Sequence, residues 1–156
     1  MSNGPKPEQS YAYQVRGTHR LFARLLEKYI AGRDIKAADW YLLRVLWQKD
    51  GISQKELSRG SFLTESSVVS MLRSMAKAGL VVRERDEADK RCMKIRLTGK
   101  ARALEDEMMP LVTDINARAT RGISPQELET FMRVLSRMKD NLDEELASGP
   151  GVNEPA

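Results

Sequence analysis

Apolar positions recur at helical spacing through most of the chain. Between residues 11 and 31, Tyr11, Val15, Phe22, Leu25, Leu26 and Tyr29 fall on one side at about 100° per residue, with Arg16, Arg20 and Arg24 opposite. Gly32 predicts the end of that helix. Trp40, Leu43, Leu46 and Trp47 give a second helix, over about residues 36–49, a broad apolar side, and Asp50-Gly51 predicts a turn. Ser53-Gln54-Lys55-Glu56 has the spacing of a capping box, so a short helix is expected to about Arg59, broken by Gly60 and Ser61. Thr64 caps the next helix, which Gly79 closes after about Ala78.

The period then drops to two. Residues 81–85 and 92–97 read as paired strands, Met93, Ile95 and Leu97 alternating with Cys92, Lys94 and Arg96. Residues 86–91 are polar or charged except Ala88 and form the exposed tip of a hairpin. A long helix is expected over residues 98–120, with Leu104, Met108, Leu111 and Ile115 on one side and a kink at Pro110. Ser124-Pro125-Gln126-Glu127 is a second capping box, opening a last helix that carries Leu128, Phe131, Leu135, Met138 and Leu142. Residues 1–10 and 148–156 are expected to be flexible, and no internal repeat is visible. The fold class is mainly α with a small β-hairpin wing.

Composition excludes more than it specifies. The chain has 156 residues, 41% of them hydrophobic and 31% charged, which suits one folded unit with a core. Cys92 is the only cysteine and His19 the only histidine, so an intramolecular disulfide is impossible and the usual zinc ligand sets are lacking. No metal or cofactor is expected. No phosphate loop is present either, since Lys94 stands where a glycine would have to precede Gly99-Lys100. A nucleophile and base would have to be built around His19 alone, so catalysis is not expected. No apolar run is long enough to span a membrane, and no secretion signal opens the chain; the expected location is the cytoplasm.

Charge is unevenly distributed. Residues 1–52 carry a net +4, residues 53–100 a net +5 and residues 101–156 a net −5, so the overall +4 conceals a basic part and an acidic part. A basic segment followed by an acidic one reads as a polyanion-binding unit joined to something that avoids the polyanion.

The order of elements, helix–turn–helix followed by a basic hairpin, is the plan of a winged helix-turn-helix module. On a wheel of residues 64–79, Val68, Met71, Leu72 and Met75 cluster on one side and Ser66, Ser67, Ser70, Arg73, Ser74 and Lys77 on the other. That polar face is cationic, lacks acids and is lined with short serines, which lets a helix sit deep in a major groove. The candidate DNA contacts are therefore Gln54, Thr64, Ser66, Ser67, Ser70, Arg73 and Lys77. Lys90 and Arg91 join them at the wing tip, with Lys94 and Arg96 behind. A thin, arginine-tipped hairpin fits the narrow minor groove, and Asp89 is expected to orient Arg91 by pairing with it. A sequence-blind architectural DNA binder is the alternative, although it would favour scattered lysines.

The run Glu84-Arg85-Asp86-Glu87-Ala88-Asp89-Lys90-Arg91, followed by Ile95-Arg96-Leu97-Thr98-Gly99-Lys100-Ala101, resembles the wing signature of MarR-type transcriptional regulators. Leu72-Arg73-Ser74-Met75-Ala76-Lys77-Ala78-Gly79-Leu80-Val81 resembles that family's recognition helix and its exit into the wing, and the likeness extends over about residues 11–145. The resemblance implies a homodimer on double-stranded DNA, each protomer presenting one recognition helix to a pseudo-palindromic operator. It implies dimerisation segments at residues 11–34 and 99–147 around a DNA-binding segment at residues 35–98. It further implies a repressor relieved by a small aromatic acid, a phenolic compound or a coenzyme A thioester. Arg16, His19, Arg20, Trp40 and Tyr41 are the expected wall of the effector crevice. Redox sensing through Cys92 is the alternative, disfavoured because Cys92 lies in the wing and not in the first helix.

Overall fold

The computed structural model describes residues 6–33, 35–86 and 90–148. After a 3-10 turn at Pro7–Gln9, the elements are α1 (Tyr11–Ile30), α2 (Ala37–Gln48), β1 (Ile52–Ser53), α3 (Gln54–Ser61), α4 (Glu65–Lys77), β2 (Val81–Arg85), β3 (Met93–Leu97), α5 (Gly99–Ala119) and α6 (Pro125–Ser148). The short turn at Pro7–Gln9 occupies part of the expected loose arm. The fold is mainly helical with a small antiparallel sheet, as the periodicities predict.

Strand β1 is new. It pairs with β3 through Ile52 opposite Ile95 and Ser53 opposite Lys94, giving the sheet order β1-β3-β2. Two residues are too few for alternation to be seen in sequence. The wing is thereby rooted in the turn that the sequence marks at Asp50-Gly51. Asp50 accepts a 2.9 Å hydrogen bond from the Leu97 backbone N–H and pairs with Arg102. Gly51 sits at φ +69°, and a Cβ there would stand 3.0 Å from the Arg96 guanidinium that crosses it.

Helix α2 lies at the centre of the packing. Leu42, Leu43 and Leu46 are fully buried, together with Leu57 of α3, Val68 and Met75 of α4 and Met108 of α5. Trp47 donates its indole N–H to the Ala101 carbonyl at 2.9 Å, tying α2 to α5. Close approach of α3 to α2 is set at Gly60. The expected helix break there does not occur: Gly60 lies inside α3, where an added Cβ would meet Val45 Cγ1 at 2.9 Å. The helix ends instead at Phe62, a non-glycine residue held left-handed at φ 57°. Backbone of that hand disfavours an L-residue by roughly 1–2 kcal/mol. Helix α5 continues through Pro110, which removes one backbone donor without ending it.

By packing, the chain divides between Ile115 and Asn116. The unit ending at Ile115 contains the buried core. In the other unit, α6 opens on the Ser124–Glu127 capping box but buries no residue completely. Among the described residues, no helix is long and apolar enough to cross a membrane.

Two expectations follow. Gly60→Ala should lower the urea unfolding midpoint, by roughly 1–3 kcal/mol of stability, because the branched Val45 has little room to yield; an unchanged midpoint would show that α2 and α3 separate freely. The α3 cap should show in acid. Ser53 accepts from the Glu56 N–H, while the Glu56 carboxylate accepts from the Ser53 N–H and hydroxyl, each at 2.9 Å. Those bonds, with Lys49 adding less, lower the Glu56 pKa from 4.5 to about 2. A carboxylate whose folded pKa is depressed stabilises the fold above its unfolded value and stops doing so as pH falls through the folded one. Glu56→Gln should therefore flatten the loss of stability between pH 4.5 and about 2, and Ser53→Ala should destabilise by about 1 kcal/mol at neutral pH.

Candidate nucleic-acid interface

Helix α4 is capped by Thr64, whose hydroxyl oxygen accepts from the Ser67 N–H at 3.3 Å. The same oxygen lies 3.1 Å from Ser66 Oγ and 2.9 Å from Ser67 Oγ, so a small hydroxyl cluster stands at the helix N-terminus, where backbone donors point outward. Val68, Leu72 and Met75 are buried against the core. Thr64, Ser66, Ser67, Ser70, Arg73 and Lys77 are exposed together, so the wheel expected from sequence is the one the packing produces. Ser74 departs from it: half-buried, it accepts a 2.9 Å hydrogen bond from Lys36. Gln54, first residue of α3, is half-buried.

The wing differs from a uniformly cationic flap. Lys94 pairs with Asp86 at 2.8 Å and Arg96 with Glu84 at 2.8 Å, so the two cations behind the tip are neutralised within the hairpin. Lys90 and Arg91 are exposed at the tip, and Asp89 lies outside the described residues. The Asp86 N–H donates to the Cys92 carbonyl at 2.9 Å, closing the base of the turn and leaving the Cys92 side chain exposed.

Two further cations lie along the wing. Arg83 and Arg85 are exposed on β2, opposite Ile95 and Met93 in register, and neither pairs with an acid among the described residues. They continue the sheet face on which Val81 and Ile95 are buried, so they extend from the packed root toward the tip. Their signal in sequence was the alternation Val81, Arg83, Arg85 along one strand.

The expected effector residues separate into two groups. His19 Nε2 and the Tyr41 hydroxyl are 3.0 Å apart, linking α1 to α2, with ring centroids 5.6 Å apart. Burial first, and then the neighbouring Glu27, raise the Tyr41 pKa above 10.0, so this phenol keeps its proton at neutral pH. Arg16 and Arg20 are exposed on the same helix as His19. Trp40 is 7% exposed and packs edge-to-face on Trp47 with Arg44 over its ring, which places it in the core and not on an open wall.

Comparison with known proteins agrees with this architecture. A model of the MarR family matches residues 35–93, the span from α2 through the wing. The HTH-type transcriptional regulator TtmR of Methylorubrum extorquens (strain PA1) is 27% identical over 135 residues, covering 86% of this chain and 68% of that protein. A MarR family transcriptional regulator from Silicibacter pomeroyi has a similar structure, with a TM-score of 0.74, 25% identity and 96% of each chain covered. Bordetella bronchiseptica BpsR, whose structure concerns regulation of DNA binding by 6-hydroxynicotinic acid, superposes with a TM-score of 0.78 at 22% identity, over 88% of this chain and 99% of that one. Regulators of this kind bind DNA and are not enzymes. With its capped, serine-lined α4 beside a three-stranded wing, the segment at residues 35–93 matches the MarR family of winged helix-turn-helix DNA-binding transcriptional regulators, and the chain as a whole is similar to regulators of that kind.

Proposed function

We propose that the chain acts in the cytoplasm as a ligand-relieved repressor, binding a pseudo-palindromic operator as a homodimer. The observation that carries the DNA half of this reading is the exposure of Ser66, Ser70, Arg73 and Lys77 on one side of α4 while its other side is buried. Arg73 reads a base edge or holds a phosphate in the major groove, and Gln54, Thr64 and Ser67 contact the flanking backbone. Lys90 and Arg91 enter the minor groove, and Asp89 is the residue proposed to orient Arg91.

The dimer is supported by apolar surface that one chain leaves uncovered. On α1, Tyr11, Val15 and Leu21 are exposed; on α6, Phe131, Met132, Leu142 and Leu146 are exposed, the last at 81%. Exposed apolar side chains on helices are of the kind that mark a protein interface. Residues 11–34 and 99–147 supply it, and residues 35–98 form the DNA-binding part. Two such modules related by a two-fold axis read half-sites about one helical turn apart.

The effector is a small aromatic acid, a phenolic compound or the corresponding coenzyme A thioester. The His19–Tyr41 contact between α1 and α2 supports this, with Arg16 and Arg20 nearby in sequence to take a carboxylate. The 6-hydroxynicotinic acid of the BpsR comparison is a ligand of the same chemistry.

On an operator fragment selected by the purified protein, Arg73→Ala should weaken binding about tenfold or more and relax discrimination at one position, as for a side chain contributing roughly 1–3 kcal/mol at a base. Arg91→Ala should weaken binding to all sequences and reduce the salt slope by about one. Wild-type affinity in both variants, or equal affinity for operator and random DNA, would contradict the reading. Phe131→Asp should give a monomer by sedimentation. In calorimetry with aromatic acids, Arg16→Ala and His19→Ala should lower affinity, and unchanged binding would remove both residues from the effector site.

A further inference from the structure

Lysine is a poor choice for the N-terminus of a helix, yet Lys36 occupies the cap position of α2 with extended backbone and makes no side-chain cap. Its charge stands at the positive end of the helix dipole, where anions are favoured, and it offers no acceptor to the first backbone N–H groups. Asp39, in the first turn and 3% exposed, supplies only the reciprocal half of a cap, its carboxylate accepting from the Lys36 backbone. A local rule is broken here, which directs attention to what the ammonium does instead.

It crosses to α4. Lys36 Nζ donates to Ser74 Oγ at 2.9 Å, beside Arg73 in sequence and on the polar side of the helix. The C-terminal end of α4 is also held by α5 and the residue before it. Lys100 Nζ donates to the Ala78 carbonyl at 3.1 Å, the Thr98 hydroxyl donates to Gly79 O at 2.6 Å, and the Thr98 N–H donates to Leu80 O at 3.0 Å. Those three bonds reach backbone and fix the position of the helix end. The Lys36 bond is different in kind, because it reaches a side chain and so constrains rotation about the helix axis. Apolar packing of Val68, Leu72 and Met75 decides which side of α4 faces the core, whereas a hydrogen bond, which weakens steeply as its angle opens, holds the helix within that orientation.

We propose that Lys36 is a positioning residue for DNA recognition, holding the azimuth that core packing gives α4 within narrow limits through Ser74, so that Arg73 and Lys77 face the groove. The proposal rests on α4 being the groove-entering helix. Lys36 acts from α2 and need not touch DNA itself.

The test is a comparison of operator and random DNA across a salt series, using Lys36→Met, Ser74→Ala, the double variant and Lys36→Arg in the full chain. Positioning predicts that each single variant loses about fivefold in operator affinity, the effect of one typical hydrogen bond. Random-DNA affinity and the salt slope should stay as in wild type, the double variant should be no worse than either single one, and Lys36→Arg should recover most of the loss. If Lys36 holds a phosphate directly, operator and random DNA weaken together, the slope falls by about one and Ser74→Ala is silent, which overturns the proposal. A lowered unfolding midpoint with an unchanged operator-to-random ratio overturns it as well, by making the contact structural. Arg73→Ala run in parallel separates the failures: wild-type operator binding there overturns the groove reading itself, whereas loss at Arg73 with none at Lys36 overturns only the role of Lys36.

Discussion

Burial of Val68, Leu72 and Met75 against the leucines of α2 turns the opposite side of α4 to solvent, and the DNA chemistry of the molecule depends on that orientation. An amphipathic helix has one low-energy azimuth on a given core, because rotating it would expose apolar surface on one side and bury cations on the other. The serines contribute by what they lack. Short side chains at positions 66, 67 and 70 keep the helix surface low, so Arg73 and Lys77 project beyond it. The hydroxyl cluster around Thr64 caps the helix end without adding bulk.

Charge is arranged with comparable economy in the wing. Basic residues crowd the hairpin, but Glu84 and Asp86 neutralise Arg96 and Lys94 along its strands behind the tip. Lys90 and Arg91 are exposed at the tip, and Arg83 and Arg85 are exposed along β2. Such exposed pairs add little stability. Their effect is to decide which cations are available to a polyanion. The acidic balance of residues 101–156 keeps the other end of the chain from competing for it.

Much of this was legible in the sequence because the relevant signals are local. Ser53 and Glu56 announce α3, Thr64 announces α4, and the alternation from Met93 to Leu97 announces β3; each interaction lies within a few residues of chain. What was not legible depends on contacts between distant segments. Gly60 reads as a helix breaker, and only Val45, from another helix, shows that it is a point of close approach. Strand β1 exists because β3 runs beside it, and no two-residue pattern announces that. Ser74 lies on the polar side of the wheel, yet Lys36, 38 residues earlier, claims it. Trp40 illustrates the converse: an aromatic residue near the helix start suits a ligand wall or a core equally, and the packing of Trp47 and Arg44 on its ring makes it core.

The central claim, that the polar side of α4 enters a major groove, is tested most directly by dimethyl sulfate footprinting of the protein on its selected operator. Guanine N7 is open to the reagent only from the major groove. The account predicts two patches of N7 protection about one helical turn apart, one for each α4 of a dimer. Bound complexes that leave every guanine N7 reactive would contradict it.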